Sequence, residues 1–217
     1  MLKERTSHTR MSATDRQRQL LDAALNVFSR KGFKGATTKE IAAAAGVTEA
    51  VIFQHFPSKE ALYNAVLELN LGALETARDA EEIRGYMERG DDEGLIRTLI
   101  QRILNCYRTN AAFQRVALFA GLEGHEQGIN RLREQFVPVY LQFKEYVKKR
   151  QREGALVDGD PFAILTGITG LAHQYSLITY IMDAAVCDLP DEAVVEQFTR
   201  MLLDGVRKPA KKNKKGE

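Results

Sequence analysis

Between Thr37 and Phe56 the chain reads TTKEIAAAAGVTEAVIFQHF, a stretch that few folds accommodate except two short helices closed by a tight turn. Thr37 and Thr48 are both helix-capping residues, and Glu40, three places after Thr37, completes a capping box. Gly46 falls where the turn needs left-handed backbone. Pro57 disfavours helix in the residue before it, so the second helix finishes by Phe56. Ile41, Ala45, Val47, Val51 and Ile52 then share one buried face, while Ala42, Ala43 and Ala44 permit close approach.

The surroundings are helical too, and strand signals are nearly absent. A first helix opens at Thr14 with Gln17 as its capping partner; Leu20, Leu21, Ala24, Val27 and Phe28 form its apolar stripe, and Gly32 stops it. Ser58 caps a long fourth helix with Leu62, Val66, Leu69 and Leu74 on its apolar face. Periodicity predicts further helices over about 92–108, 111–121, 127–153, 160–182 and 190–205, with breaks at Gly90, Gly121–Gly128, Gly154 and Pro190. Asp160 followed by Pro161 is a strong helix start, and Pro138 should kink the 127–153 helix or shift its beginning. The fold class is all-α, with about nine helices.

With 44% hydrophobic residues the chain can bury a core. No stretch approaches the roughly 18 apolar residues of a membrane span. Met1–Arg5 has no apolar run of the secretory kind. Cys106 and Cys187 match no metal spacing and imply no disulfide framework. The expectation is a cytoplasmic protein without metal or cofactor. The net charge of +2 hides an asymmetry: +4 over residues 1–60, −6 over 61–207 and +4 over 208–217. A basic end beside an acidic body suits a polyanionic partner, although four surplus charges are also ordinary surface variation.

The wider string, LDAALNVFSRKGFKGATTKEIAAAAGVTEAVIFQHFPSKEAL from Leu21 to Leu62, resembles the DNA-binding domain of the TetR family of regulators. The likeness runs through Ala24 and Phe28, Gly32-Phe33, Thr37-Thr38, Ile41-Ala42, Ala45-Gly46-Val47, Phe53 to Phe56, and Ser58-Lys59-Glu60-Ala61-Leu62. One departure is Phe53, where the family usually carries a tyrosine whose hydroxyl often touches DNA phosphate. The resemblance implies a three-helix helix-turn-helix DNA-binding domain over 14–60 and a larger effector-binding and dimerisation domain over 61–207, while composition gives a flexible basic arm over 1–13 and a disordered basic tail over 208–217. It also implies a homodimer, a palindromic operator on double-stranded DNA, and a largely apolar small-molecule effector.

Residue chemistry can be laid beside that likeness. Thr37, Thr38 and Lys39 open the second helix, where hydroxyls, amides and a cation suit phosphate. Gln54 suits bidentate pairing with adenine, and Ala50 or Val51 suits a thymine methyl. Glu49 either accepts from cytosine N4 or only offsets the helix dipole beside Thr48. Phe53 is either packing or DNA contact. His55 and Lys59 match positions that in the family commonly grip the DNA backbone, with helix capping as the other reading of His55. Lys3, Arg5 and Arg10 either enter a minor groove or form a solvated end, and the Lys208–Lys215 run is either a solvated end or a contributor to non-specific DNA affinity.

In the family, aromatic side chains of the body line an effector cavity. The candidates here are Tyr107, Phe113, Phe119, Phe136, Tyr140, Phe143 and Tyr175 with His173, although taken singly each reads first as core. The segment Phe162–Met182, with Gly167 and Gly170, and the stripe Val194, Val195, Phe198, Met201 and Leu202 resemble the family's dimerising helix pair. Two other classes remain: an effector-free architectural DNA-binding protein, and an enzyme built on Cys106, His125 and His173, for which no supporting motif exists.

Overall fold

The computed structural model describes residues 12–72, 77–184 and 189–206. The arm residues Lys3, Arg5 and Arg10, the helix position Leu74, Cys187 and the tail 208–217 lie outside them. Ten α-helices and one π-helical turn make up the described residues, and strands are absent among them. The helices are α1 (Ala13–Gly35), α2 (Thr38–Ala45), α3 (Glu49–His55), α4 (Lys59–Gly72), α5 (Ala77–Arg89), α6 (Asp92–Thr109), α7 (Ala111–Leu122), α8 (Glu126–Arg152), α9 (Pro161–Ser176) and α10 (Asp191–Val206), with the π-turn at Leu177–Ile181. None of them is long and apolar enough to cross a membrane.

Local chemistry accounts for most boundaries. Thr37 caps α2 with the full reciprocal box to Glu40, and Gly46 closes it in the left-handed region at φ 66°. Lys31 at 2.5 Å and the Thr37 N–H hold the Glu40 carboxyl below its usual range. Ser58 Oγ accepts from Ala61 N–H at the start of α4, and Asp160 accepts from Phe162 and Ala163 at the start of α9, where Pro161 is the first helical residue. α1 is a correction: its cap is Ser12, which accepts from Asp15 N–H, so the helix starts before Thr14 and without Gln17. Gly32 does break α1, at φ 68° and ψ −177°, but one further turn follows it. Pro138 neither ends α8 nor moves its start, which His125 caps. α5 raises the count above nine; among its described side chains, Ile83, Tyr86 and Met87 pack against the second core.

Two cores organise the bundle. One joins Leu20, Ala24 and Phe28 of α1, Ile41 and Ala45 of α2, Ile52 of α3, and Leu62, Tyr63, Val66 and Leu67 of α4, and it takes in Phe113 and Val116 of α7. The expected domain junction between residues 60 and 61 falls in the first turn of α4, and this core runs across it. The second core gathers α6, α8, α9 and α10 around Ile100, Leu104, Val147, Ile168 and Leu203. At its edge Asp92, on the first turn of α6, accepts from the Tyr146 hydroxyl at 2.5 Å and from the Arg150 guanidinium at 2.7 and 3.0 Å. Burial and that bond to Asp92 raise the Tyr146 hydroxyl above its usual pKa.

Candidate nucleic-acid interface

α2 and α3 are pinned from beneath. Ile52 is 0% exposed, and burying such a side chain contributes about 2 kcal/mol. Ile41, Ala42 and Ala45 are also buried, while Val47 packs at the edge and Val51 is half-buried. Of the three alanines only Ala42 lies inside; Ala43 and Ala44 face solvent, so they do not mediate the approach. Gln19 of α1 donates to the Ala45 carbonyl at 2.9 Å and satisfies the end of α2.

The outer face is open. Thr37, Lys39, Thr48, Ala50, Phe53 and Gln54 are exposed, and Phe53 presents 48% of its surface to solvent, away from the core. Thr38 and Glu49 are half-buried and joined: the threonine hydroxyl donates to Glu49 Oε2 at 2.5 Å, tying the first turn of α2 to the first turn of α3. Thr48 makes no side-chain cap bond. His55 is half-buried in the last turn.

Lys59 has a different place from the one its position suggests. Its ammonium donates to the Phe33 carbonyl at 2.9 Å and the Ala36 carbonyl at 3.0 Å, and it sits over the Phe33 ring at 4.4 Å. It clamps the end of α1. Glu123, Glu60 and His125 join the same junction, and no local sequence signal marks the Glu123 contact, which spans about 90 residues of chain.

In the body the effector candidates do not converge. Tyr107 and His173 meet, with the hydroxyl 3.3 Å from Nδ1 and the rings edge to face. His173 as a residue keeps exposed surface, but the protein packed around it displaces water, and this desolvation lowers its basicity. Phe113 lies in the first core, and Phe119 packs against Gly32. Phe143 lies in the second core, and Tyr175 packs on Phe198. Phe136 is exposed, and Tyr140 packs edge to face on the exposed Phe162. Of the dimer candidates, Val194 is 2% exposed within its own chain and packs in the second core, so it is not available to a partner. Phe162, Leu171 and Met201 are exposed, while Phe198 and Leu202 are half-buried. An added Cβ on Gly167 or Gly170 would meet no atom within 4 Å, so these glycines serve no packing inside the chain.

A short helix held by its inner face, with its outer face bare beside a second helix start, is how helix-turn-helix proteins present a reading helix to the major groove. The protein is a helix-turn-helix DNA-binding transcriptional regulator. Residues 20–66 match the family described as bacterial regulatory proteins, tetR family. The chain is 25% identical over 197 residues to the HTH-type transcriptional regulator RutR of Escherichia coli, covering 88% of this chain and 91% of RutR. It is 27% identical over 171 residues to the nucleoid occlusion factor SlmA of Photobacterium profundum, covering 75% and 84%. The ketosteroid transcriptional regulator KstR2 of Mycobacterium tuberculosis shares the fold at a TM-score of 0.63 and 17% identity, over 91% of this chain and 98% of that one. Over residues 20–66 the chain is thus similar to the N-terminal domain of the TetR family.

Proposed function

We propose that the protein is a cytoplasmic homodimeric repressor that reads a palindromic operator and leaves it when a small, largely apolar effector binds the body. The observation that carries the DNA reading is the division of α3, with Ile52 sunk in the core and Ala50, Phe53 and Gln54 bare. Thr37, Thr38 and Lys39 would hold phosphates, and Gln54, Ala50, Val51, Phe53 and Glu49 would meet base edges. Pairing through the open faces of α9 and α10 would set two α3 helices roughly 34–36 Å apart. Because α4 begins at Lys59, directly after α3, a ligand that moves α4 would change that separation. The enzyme reading has no geometric support: Cys106 bonds Gln114, His125 reaches Glu60, and His173 meets Tyr107.

The test is fluorescence anisotropy against duplexes selected from a random pool, over a salt series. Gln54→Ala should cost about 1–3 kcal/mol at the selected operator only. Lys39→Ala should weaken all sequences alike and flatten the salt dependence by about one phosphate contact. Failure to select any sequence would sink the reading. The likeness to a nucleoid occlusion factor favours a second reading, an architectural DNA-binding protein without an effector. The two part on whether any small molecule alters operator affinity.

A further inference from the structure

The junction around Phe33 is built from three separate segments. Gly32 leaves the helix, so the N–H groups of Phe33 and Lys34 open a new turn with no carbonyl of their own helix to receive them. The Glu123 carboxylate, at the end of α7, accepts both: 2.9 Å from Phe33, and 3.2 and 3.3 Å from Lys34. Lys34 returns its ammonium to the Glu123 carbonyl at 2.8 Å. A Cβ on Gly32 would collide with the Glu123 carboxylate, so the glycine also makes the room. Two residues on, His125 accepts from Gly128 N–H through Nδ1 at 3.0 Å. Nδ1 is therefore the acceptor, and Nε2 carries the proton that reaches Glu60 at 3.1 Å, in the first turn of α4. The His125 ring lies 4.4 Å from Phe33 and 4.7 Å from Tyr63. Lys59 closes the circuit from α4 back to Phe33 and Ala36.

We infer that Glu123 and His125 are positioning residues for DNA reading: the α7–α8 turn clamps the end of α1 and the start of α4 and thereby sets the angle at which α3 is offered. Lys59 and Glu60 follow α3 by only a few residues, and Ala36 lies between the end of α1 and Thr37, the cap of α2. The body therefore grips the reading pair at both of its chain connections. Phosphate attraction tolerates a change of angle, whereas base-edge hydrogen bonds do not. The clamp should accordingly govern operator preference more than general DNA affinity. This rests on α3 meeting base edges, as proposed above.

The experiment measures wild type, Glu123→Gln, Glu123→Ala and His125→Asn on the selected operator and on a scrambled duplex, with amide hydrogen exchange and thermal unfolding of each. Glu123→Ala should lower the operator-to-scrambled affinity ratio roughly tenfold, the scale of one lost charge-assisted hydrogen bond. The Phe33 and Lys34 amides should exchange faster, and scrambled-duplex affinity should hold. Glu123→Gln, which keeps an acceptor oxygen, should fall between and covers the case in which the alanine variant fails to fold. An unchanged ratio, or equal losses on both duplexes in a folded variant, would overturn the inference. A wild type with no operator preference would instead fail the base-edge reading, and the exchange arm would still decide whether the clamp exists.

Discussion

The reading head and the body dispose of their apolar surface in opposite ways. Around α1–α4 nearly every large apolar side chain is inside, and Phe53 is the exposed exception, on the face offered to DNA. The body packs one side of α9 and α10 equally well but leaves Phe162, Leu171 and Met201 open, with Phe136, Val137 and Leu141 exposed along α8. The difference teaches that the head reaches its minimum within one chain, borrowing from α7 and, at Leu132, from α8. The body's second face has no such partner among the described residues, and a second copy is what the proposed dimer would supply.

The sharpest way to break this comparison is inside the head. Phe28 is 0% exposed and meets Tyr63 edge to face at 5.0 Å, so Phe28→Ala should cost about 3–5 kcal/mol in urea unfolding. It should abolish operator binding while the body still pairs in analytical ultracentrifugation. In the body, Asp92→Asn removes the charge from a forked pair with Arg150, whose side chain keeps 18% exposure. That partial exposure trims the loss to about 2–3 kcal/mol, with an unchanged denaturant slope.

A smaller effect on folding, but a decisive one for assembly, belongs to the open face. Gly167→Leu fills empty space in the single chain, so monomer stability should shift by less than about 0.5 kcal/mol. The sedimenting species should become a monomer; a persisting dimer would move the interface elsewhere.

The smallest effect is Cys106. Burial pushes its thiol up, outweighing the opposing bond from Gln114 at 3.1 Å. The folded chain keeps a proton that the unfolded chain releases, so this contribution is full below the ordinary thiol value of about 8.5 and is lost as pH rises through the folded one. Peptide mapping after iodoacetamide should find Cys106 unmodified near pH 8 and modified once the protein unfolds.

The reading pair was legible because its signals are local. Thr37 with Glu40 and the left-handed Gly46 act within one turn of backbone, and residue type alone decides such conformations. The ends of α6, α7 and α10 followed for the same reason, to within a residue or two. Lys59 shows the limit: its sequence context points to phosphate, but two carbonyls and an aromatic face in reach hold the ammonium instead. Val194 shows another, since an apolar stripe has the same period whether it faces its own core or a partner.

The sequence by itself determined most of the helices, the caps of α2, α4 and α9, and the pairing of α2 with α3, because each follows from contacts within a few residues. Only the tertiary structure decided what those helices share: α7 completing the head's core, Glu123 capping a turn about 90 residues away, and which sides of α9 and α10 stay open. Contacts between distant segments depend on how the helices dock, and hydrophobic periodicity, which marks the face to be buried, does not say against what.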